Sequence, residues 1–187
     1  MMDARSATSG RAVTDPLHDP EPLVRRVYAY VAYRIGDGAE AEDVTSETFE
    51  RALRYRESYD QRRGPPAAWL VGIARRCIDD SFRRNAHELL VSEPLDVAGG
   101  RDEAADSALR LDLLAAVERL GDRDRELVAL RFGADLRARE IAELLDLRTN
   151  AVEVALHRML ERLSLLLAEP PPTTPGARGS DPLAVAE

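Results

Sequence analysis

An all-α fold is predicted, with two small helical domains joined by a flexible linker and a helix-turn-helix in the second. Three features of the sequence predict it. Aromatic content is only 5% and the apolar residues are mainly Leu, Ala and Val, a set that suits helices better than a β-sandwich. Apolar residues recur at helical spacing in both halves of the chain. Between the halves, residues 88–106 carry Pro94, Gly99-Gly100 and scattered acids, the composition of a linker.

Residues 1–20 mix Gly, Ser, Thr, Asp and Pro without periodicity and read as disordered. Leu23, Val27, Tyr30, Val31 and Ile35 predict a first helix that Gly36-Asp37-Gly38 closes. A second helix over 39–55 sets Val44, Thr48, Phe49, Ala52 and Leu53 on one side. Residues 58–66 form a loop ending in Pro65-Pro66, where a helix can begin. The third helix, 67–85, buries Leu70, Ile73, Cys77 and Ile78. These elements make a first module over 21–87, and the second covers 107–168. In the second, Leu113, Val117 and Leu120 mark one helix, and Leu127 and Leu130 another. Residues 137–145 form a third and 149–163 a fourth. Pro170-Pro171-Pro172 ends the fold, leaving 169–187 as a disordered Pro-rich tail.

Composition removes several function classes. Net charge is -8, which argues against indiscriminate nucleic-acid binding, because that affinity comes mostly from phosphate neutralisation. All 26 basic residues are Arg, so every cation has a planar fork suited to phosphates and carboxylates. Cys77 stands alone, leaving no disulfide framework and no Cys-based metal site. His18, His87 and His157 are dispersed, and no Gly-rich phosphate loop occurs. The expectation is a non-enzyme with no catalytic residues, no metal and no cofactor. No apolar run is long enough for a membrane span, and residues 1–20 lack the apolar core of a signal peptide. A cytoplasmic location is expected.

Charge is polarised along the first module. Residues 37–50 hold six acids and no Arg, whereas residues 51–84 hold nine Arg against four acids. An acidic helix complements a basic protein partner, and a basic helix can follow a phosphate backbone. Both stretches can equally be solvated faces. Arg75, Asp79 and Arg83 are spaced by four, as are Arg76, Asp80 and Arg84. Each row can form an ion-pair ladder, or its Asp residues can aim guanidinium groups at phosphates or accept a base amino group.

In the second module, the short helix 137–145, the connection Asp146-Leu147-Arg148 and the longer helix 149–163 have helix-turn-helix spacing. An ordinary helical hairpin has the same spacing. Small Ala142 within Glu140-Ile141-Ala142-Glu143-Leu144-Leu145 favours close helix crossing, and Thr149 or Asn150 can cap the second helix.

The stretch from Leu120 through Gly121-Asp122-Arg123-Asp124-Arg125-Glu126-Leu127 to Phe132 resembles the start of region four of bacterial RNA polymerase sigma factors. In the first module Ala41-Glu42-Asp43-Val44, Glu47-Thr48-Phe49, Arg51-Ala52-Leu53, Ala68-Trp69-Leu70, Ile73-Ala74-Arg75 and Arg83-Arg84 resemble region two. This two-region layout, over about residues 23–167, is similar to the extracytoplasmic-function (ECF) group.

The resemblance implies a promoter-specificity subunit that recruits core RNA polymerase and melts promoter DNA. Asp43, Val44, Glu47, Thr48, Phe49 and Arg51 would dock on the clamp of the largest subunit, and region four on the flap of the second-largest. Arg62, Arg63, Trp69, Arg75, Arg76, Asp79, Asp80, Arg83 and Arg84 would handle the minus-ten element. There, stacking and cation–π contacts hold unstacked bases, although Trp69 could instead be a core residue. Arg148, Thr149, Asn150, Glu153, His157 and Arg158 would meet the minus-35 element. An anti-sigma factor would be a further partner. The alternatives are a helix-turn-helix regulator or a core- or anti-sigma-binding protein that reads DNA weakly. Residues 106–169 hold ten Arg against thirteen acids, so the second module alone is expected to bind duplex weakly and with little salt dependence.

Overall fold

Proline at the first helical position sets φ without wasting a hydrogen bond, and Pro20 opens α1 (Pro20–Ile35) in this way in the computed structural model. Glu21 in its first turn and Arg34 in its last complement the helix dipole. Residues 15–89 and 113–168 are described. Helices α2 (Ala39–Arg54) and α3 (Pro66–Leu89) follow, joined by two short 3-10 turns, Arg56–Ser58 and Gln61–Arg63. The second module contains a helical segment α4 (113–118), then α5 (Asp122–Val128) and a π-turn over Ala129–Gly133. Next come α6 (Ala138–Leu145) and α7 (Thr149–Ala168). No strand occurs among the described residues, in keeping with the all-α expectation.

In the first module α1, α2 and α3 pack against one another. The apolar stripe of α3 buries Leu70, Val71, Ile73, Ala74, Cys77 and Ile78, as its periodicity predicts. Leu70 is fully buried, and truncating such a side chain to Ala costs about 2–5 kcal/mol. On α2 the inward side is Ala41, Val44, Thr45, Thr48 and Ala52. Leu53, expected there, is 62% exposed, because its position falls one step past the buried stripe.

Helix ends differ by a few residues. Helix α3 runs on to Leu89 and α7 to Ala168, beyond the expected Asn85 and Leu163. The expected second helix of region four is broken, since the Ala134 N–H bonds to Ala129 O at 2.8 Å and the Leu136 N–H to Leu130 O at 3.0 Å. Those five- and six-residue steps widen the helix into the π-turn. Within the segment expected to be disordered, residues 15–19 are folded: Leu17 packs on the core and Asp15 pairs with Arg56 at 3.7 Å. The remainder of that segment, most of the 88–106 linker and the 169–187 tail lie outside the described residues.

The modules also pack on each other. Helix α1 meets α5 and the π-turn, and α3 meets α6, so one apolar core runs from Val27 to Leu163.

Candidate nucleic-acid and protein interfaces

Helices α2 and α3 share a charge network. Glu47 is bonded to Arg51 one turn on and accepts a hydrogen bond from Arg84 at 3.1 Å. Arg51 reaches across to Asp80 at 2.8 Å, and Asp80 also takes Arg83 at 3.0 Å. Neither possible ladder forms: Asp80 takes Arg51 and Arg83, and Arg84 turns to Glu47. The Arg51 hydrogen bond holds the Asp80 carboxyl below its ordinary value. Burial pushes Glu47 up, but hydrogen bonds from Arg84 and Arg51 outweigh it and leave that carboxyl lowered. The Asp80 contact raises Arg51 in turn. Residues expected to meet two different partners, Glu47 and Arg51 for protein and Asp80 and Arg84 for DNA, therefore form one electrostatic unit.

Burial divides the expected polymerase-binding set. Val44 is 2% exposed and Thr48 is fully buried, its hydroxyl donating to Val44 O at 2.7 Å. These two side chains pack α2 onto the module and cannot themselves touch a partner, which corrects their placement in the contact set. Asp43 is exposed, and Glu47, Phe49 and Arg51 are half-buried.

The loop before α3 is built around Trp69. Its ring lies 5.6 Å from that of Tyr59 at 59°, and the Tyr59 hydroxyl donates to Gly64 O at 3.2 Å. Trp69 is half-buried, so its ring closes the loop on one side. Asp60 caps the second 3-10 turn by accepting from the Arg62 N–H at 3.0 Å, which leaves Arg62 and Arg63 exposed. Along α3, Arg76, Asp79, Arg83 and Arg84 face solvent. Arg75 does not stand with them. Its Nε lies 3.1 Å from the Glu126 carboxylate of the second module.

The helix-turn-helix has the expected spacing. Asp146 adopts the left-handed conformation (φ 54°) that ends α6. The Leu147 N–H returns to Ala142 O at 2.9 Å. At the start of α6, Glu140 accepts from the Arg137 N–H at 2.8 Å, half of a capping box, since an arginine side chain has no acceptor to complete it. Thr149 is already helical, and the carbonyl of Arg148 accepts the first helical bond from Val152. The cap position therefore falls on Arg148, one residue earlier than expected.

A cleft of about 570 Å³ opens beside α7, lined among others by Arg123, Asp124, Arg148, Asn150, Arg158 and Arg162. Its one carboxylate is engaged, with Asp124 held by Arg162 at 2.6 and 2.8 Å. Of the expected DNA contacts, Arg148, Asn150 and Arg158 come together here, and Thr149 is exposed alongside. Glu153 and His157 fall outside the cleft lining, and His157 faces Glu161 at 3.3 Å. Glu153 and Glu161 thus lie on a row of α7 turned about 100° from the row that holds Arg158 and Arg162. The module's net acidity does not describe this face. Arg162 lies further along α7 itself, whereas Arg123 carries no local motif and becomes a neighbour of the recognition helix only because α5 packs on α7.

No helix among the described residues is long and apolar enough to cross a membrane. Residues 21–88 match the family model for sigma-70 region 2, and residues 110–163 match that for sigma-70 region 4. The ECF RNA polymerase sigma factor BldN of Streptomyces coelicolor is 36% identical over 149 residues, covering 76% of this chain and 56% of its own length. RNA polymerase sigma factor CarQ of Myxococcus xanthus is 32% identical over 77% of this chain and 84% of its own. Among solved structures, sigma factor RpoE of Bartonella quintana, in complex with the anti-sigma factor NepR, superposes with a TM-score of 0.62 at 19% identity. That match spans 79% of this chain and 92% of the other and supports the fold. With both region models matched in order, the chain belongs to the sigma-70 family, in its ECF group of RNA polymerase sigma factors.

Proposed function

We propose that this chain recruits core RNA polymerase to promoters and opens them, a non-catalytic role exercised in the cytoplasm. Asp43, Glu47, Phe49 and Arg51 dock on the clamp of the largest subunit, and the second module rests on the flap of the second-largest. The loop around Trp69, with Arg62 and Arg63, receives unstacked minus-ten bases, while Arg76, Asp79, Asp80, Arg83 and Arg84 track the strand. Arg75 joins them once it is released from Glu126.

Arg148, Thr149, Asn150 and Arg158 face the minus-35 element, with Arg123 and Arg162 added as phosphate contacts. Glu153 lies beside that surface, where a carboxylate can accept from a cytosine amino group. An anti-sigma factor is the regulatory partner, as NepR is for RpoE.

The observation that supports this reading best is the gathering of Arg123, Arg148, Arg158 and Arg162 at the recognition helix of a chain with net charge -8. Run-off transcription with purified core enzyme on a genomic fragment library tests it. Initiation at discrete sites is expected. Duplex binding without core, or core binding without initiation, would overturn it.

A further inference from the structure

Asp124 is the one carboxylate in the lining of the cleft beside α7, which also gathers Arg123, Arg148, Arg158 and Arg162. By charge alone it is out of place on a surface that meets phosphates. Its side chain is only 14% exposed, and both of its oxygens engage Arg162. Oδ2 lies 2.6 Å from Arg162 Nε, and Oδ1 accepts from Arg162 Nη2 at 2.8 Å. A carboxylate so far withdrawn from water is stabilised by such a two-point contact.

That contact uses one edge of a planar fork. A guanidinium carries five N–H donors, and the pairing takes the Nε hydrogen and one on Nη2. The donors on the other edge stay free of Asp124, on a side chain that is 52% exposed. Asp124 is itself fixed by its backbone. It lies in the first turn of α5, with its N–H bonded to Gly121 O at 3.0 Å. The next residue, Arg125, donates to Glu118 O at 2.7 Å and to Leu120 O at 3.1 Å, which anchors the same turn. The turn therefore aims the carboxylate, and the carboxylate aims the guanidinium.

Arg162 lies on α7 well beyond Thr149, about 20 Å along the axis. A major groove is only about 12 Å wide. With the start of α7 in the groove, Arg162 is level with the flanking backbone. A loose arginine there would lose rotamer freedom on gripping a phosphate, whereas one already held by a carboxylate has lost it on folding.

We propose that Asp124 is a positioning residue for promoter binding: it holds Arg162 by one edge and so presents the other edge to a phosphate flanking the minus-35 element. The inference rests on the minus-35 role proposed above for the second module. It reverses the sign expected from charge. Removing an acid from a DNA-facing cleft strengthens binding if Asp124 only repels phosphate or neutralises Arg162, and weakens it if Asp124 aims Arg162.

The test uses core enzyme loaded with the full chain and a promoter fragment recovered by the run-off assay. Fluorescence anisotropy reads binding over several salt concentrations. Asp124→Asn should lower affinity about tenfold at fixed salt and reduce the logarithmic salt slope by about 1, as Arg162→Ala should. Asp124→Glu, which keeps a carboxylate, should bind more tightly than Asp124→Asn. In an Arg162→Ala background, Asp124→Asn should cost nothing more. Arg162→Lys should bind more weakly than the native chain, because a point charge facing Asp124 has no second edge for a phosphate. That variant keeps Asp124 in place and decides the matter if Asp124→Asn unfolds. Tighter binding or a steeper slope in Asp124→Asn would overturn the proposal. So would native affinity in Arg162→Lys, or an equal loss from Asp124→Asn with and without Arg162. A native holoenzyme that bound no promoter fragment would defeat the proposed function and this inference with it, whereas the comparisons among variants tell only against the role of Asp124.

Discussion

Arg51 on α2 lies 2.8 Å from Asp80 on α3, and the same guanidinium is bonded to Glu47. One cation therefore holds two carboxylates that would otherwise repel, and joins the proposed polymerase face to the proposed DNA face. Arg51→Ala should lower affinity for core polymerase by about tenfold, the scale of a contact central to an interface. Thermal stability should change little, because the pairs are partly solvated. Competition binding against labelled native factor measures it, and unchanged affinity would remove Arg51 from the docking face.

The same network predicts an acid response. Glu47 and Asp80 both have carboxyls held below their ordinary values of 4.5 and 3.8. A carboxylate lowered in the folded state contributes stability that is whole above its unfolded value and is lost as pH falls through the folded one. Urea midpoints recorded from about pH 5 down to about pH 2 should therefore fall more steeply for the native chain than for Glu47→Gln. Parallel curves would mean that Glu47 gains nothing from its arginines.

The cleft beside α7 makes a prediction about salt. Arg123→Ala and Arg158→Ala should each reduce the logarithmic salt slope of holoenzyme–promoter binding by about 1, since each is assigned one phosphate. Glu153→Gln should leave that slope unchanged, because Glu153 falls outside the cleft lining. Titrations followed by fluorescence anisotropy at several salt concentrations separate the cases. An unchanged slope in Arg123→Ala would confine DNA contact to the recognition helix.

Asp146 offers a stability test. Its φ of 54° is a region where Asp is tolerated and Gly is at ease. Asp146→Gly should be neutral or stabilising by up to about 1 kcal/mol, and Asp146→Val should destabilise by about 1–2 kcal/mol. Denaturant midpoints measure both. A destabilising glycine would mean that the Asp146 side chain supports the turn.

The sequence by itself determined what depends on local pattern. The 3.6-residue period of Leu70, Ile73, Cys77 and Ile78 marks the buried stripe of α3 because that spacing recurs on one helical face. Asp146-Leu147-Arg148 marks the turn of the helix-turn-helix because only a few residue types suit a helix end. Ordered motifs from Ala41 to Phe132 identified the family in the same way.

Only the tertiary structure decided which charges meet. Arg75 stands in sequence at the head of a possible ladder with Asp79, yet its partner is Glu126, fifty-one positions on in a different module. Arg84 looked like the end of a ladder on α3 but is bonded to Glu47 on α2. Arg123 reaches the recognition face only through the packing of α5 on α7. The physical reason is common to all three. Helical periodicity fixes which side of a helix is apolar, whereas the partner of an ion pair depends on long-range helix packing, which a local pattern does not encode.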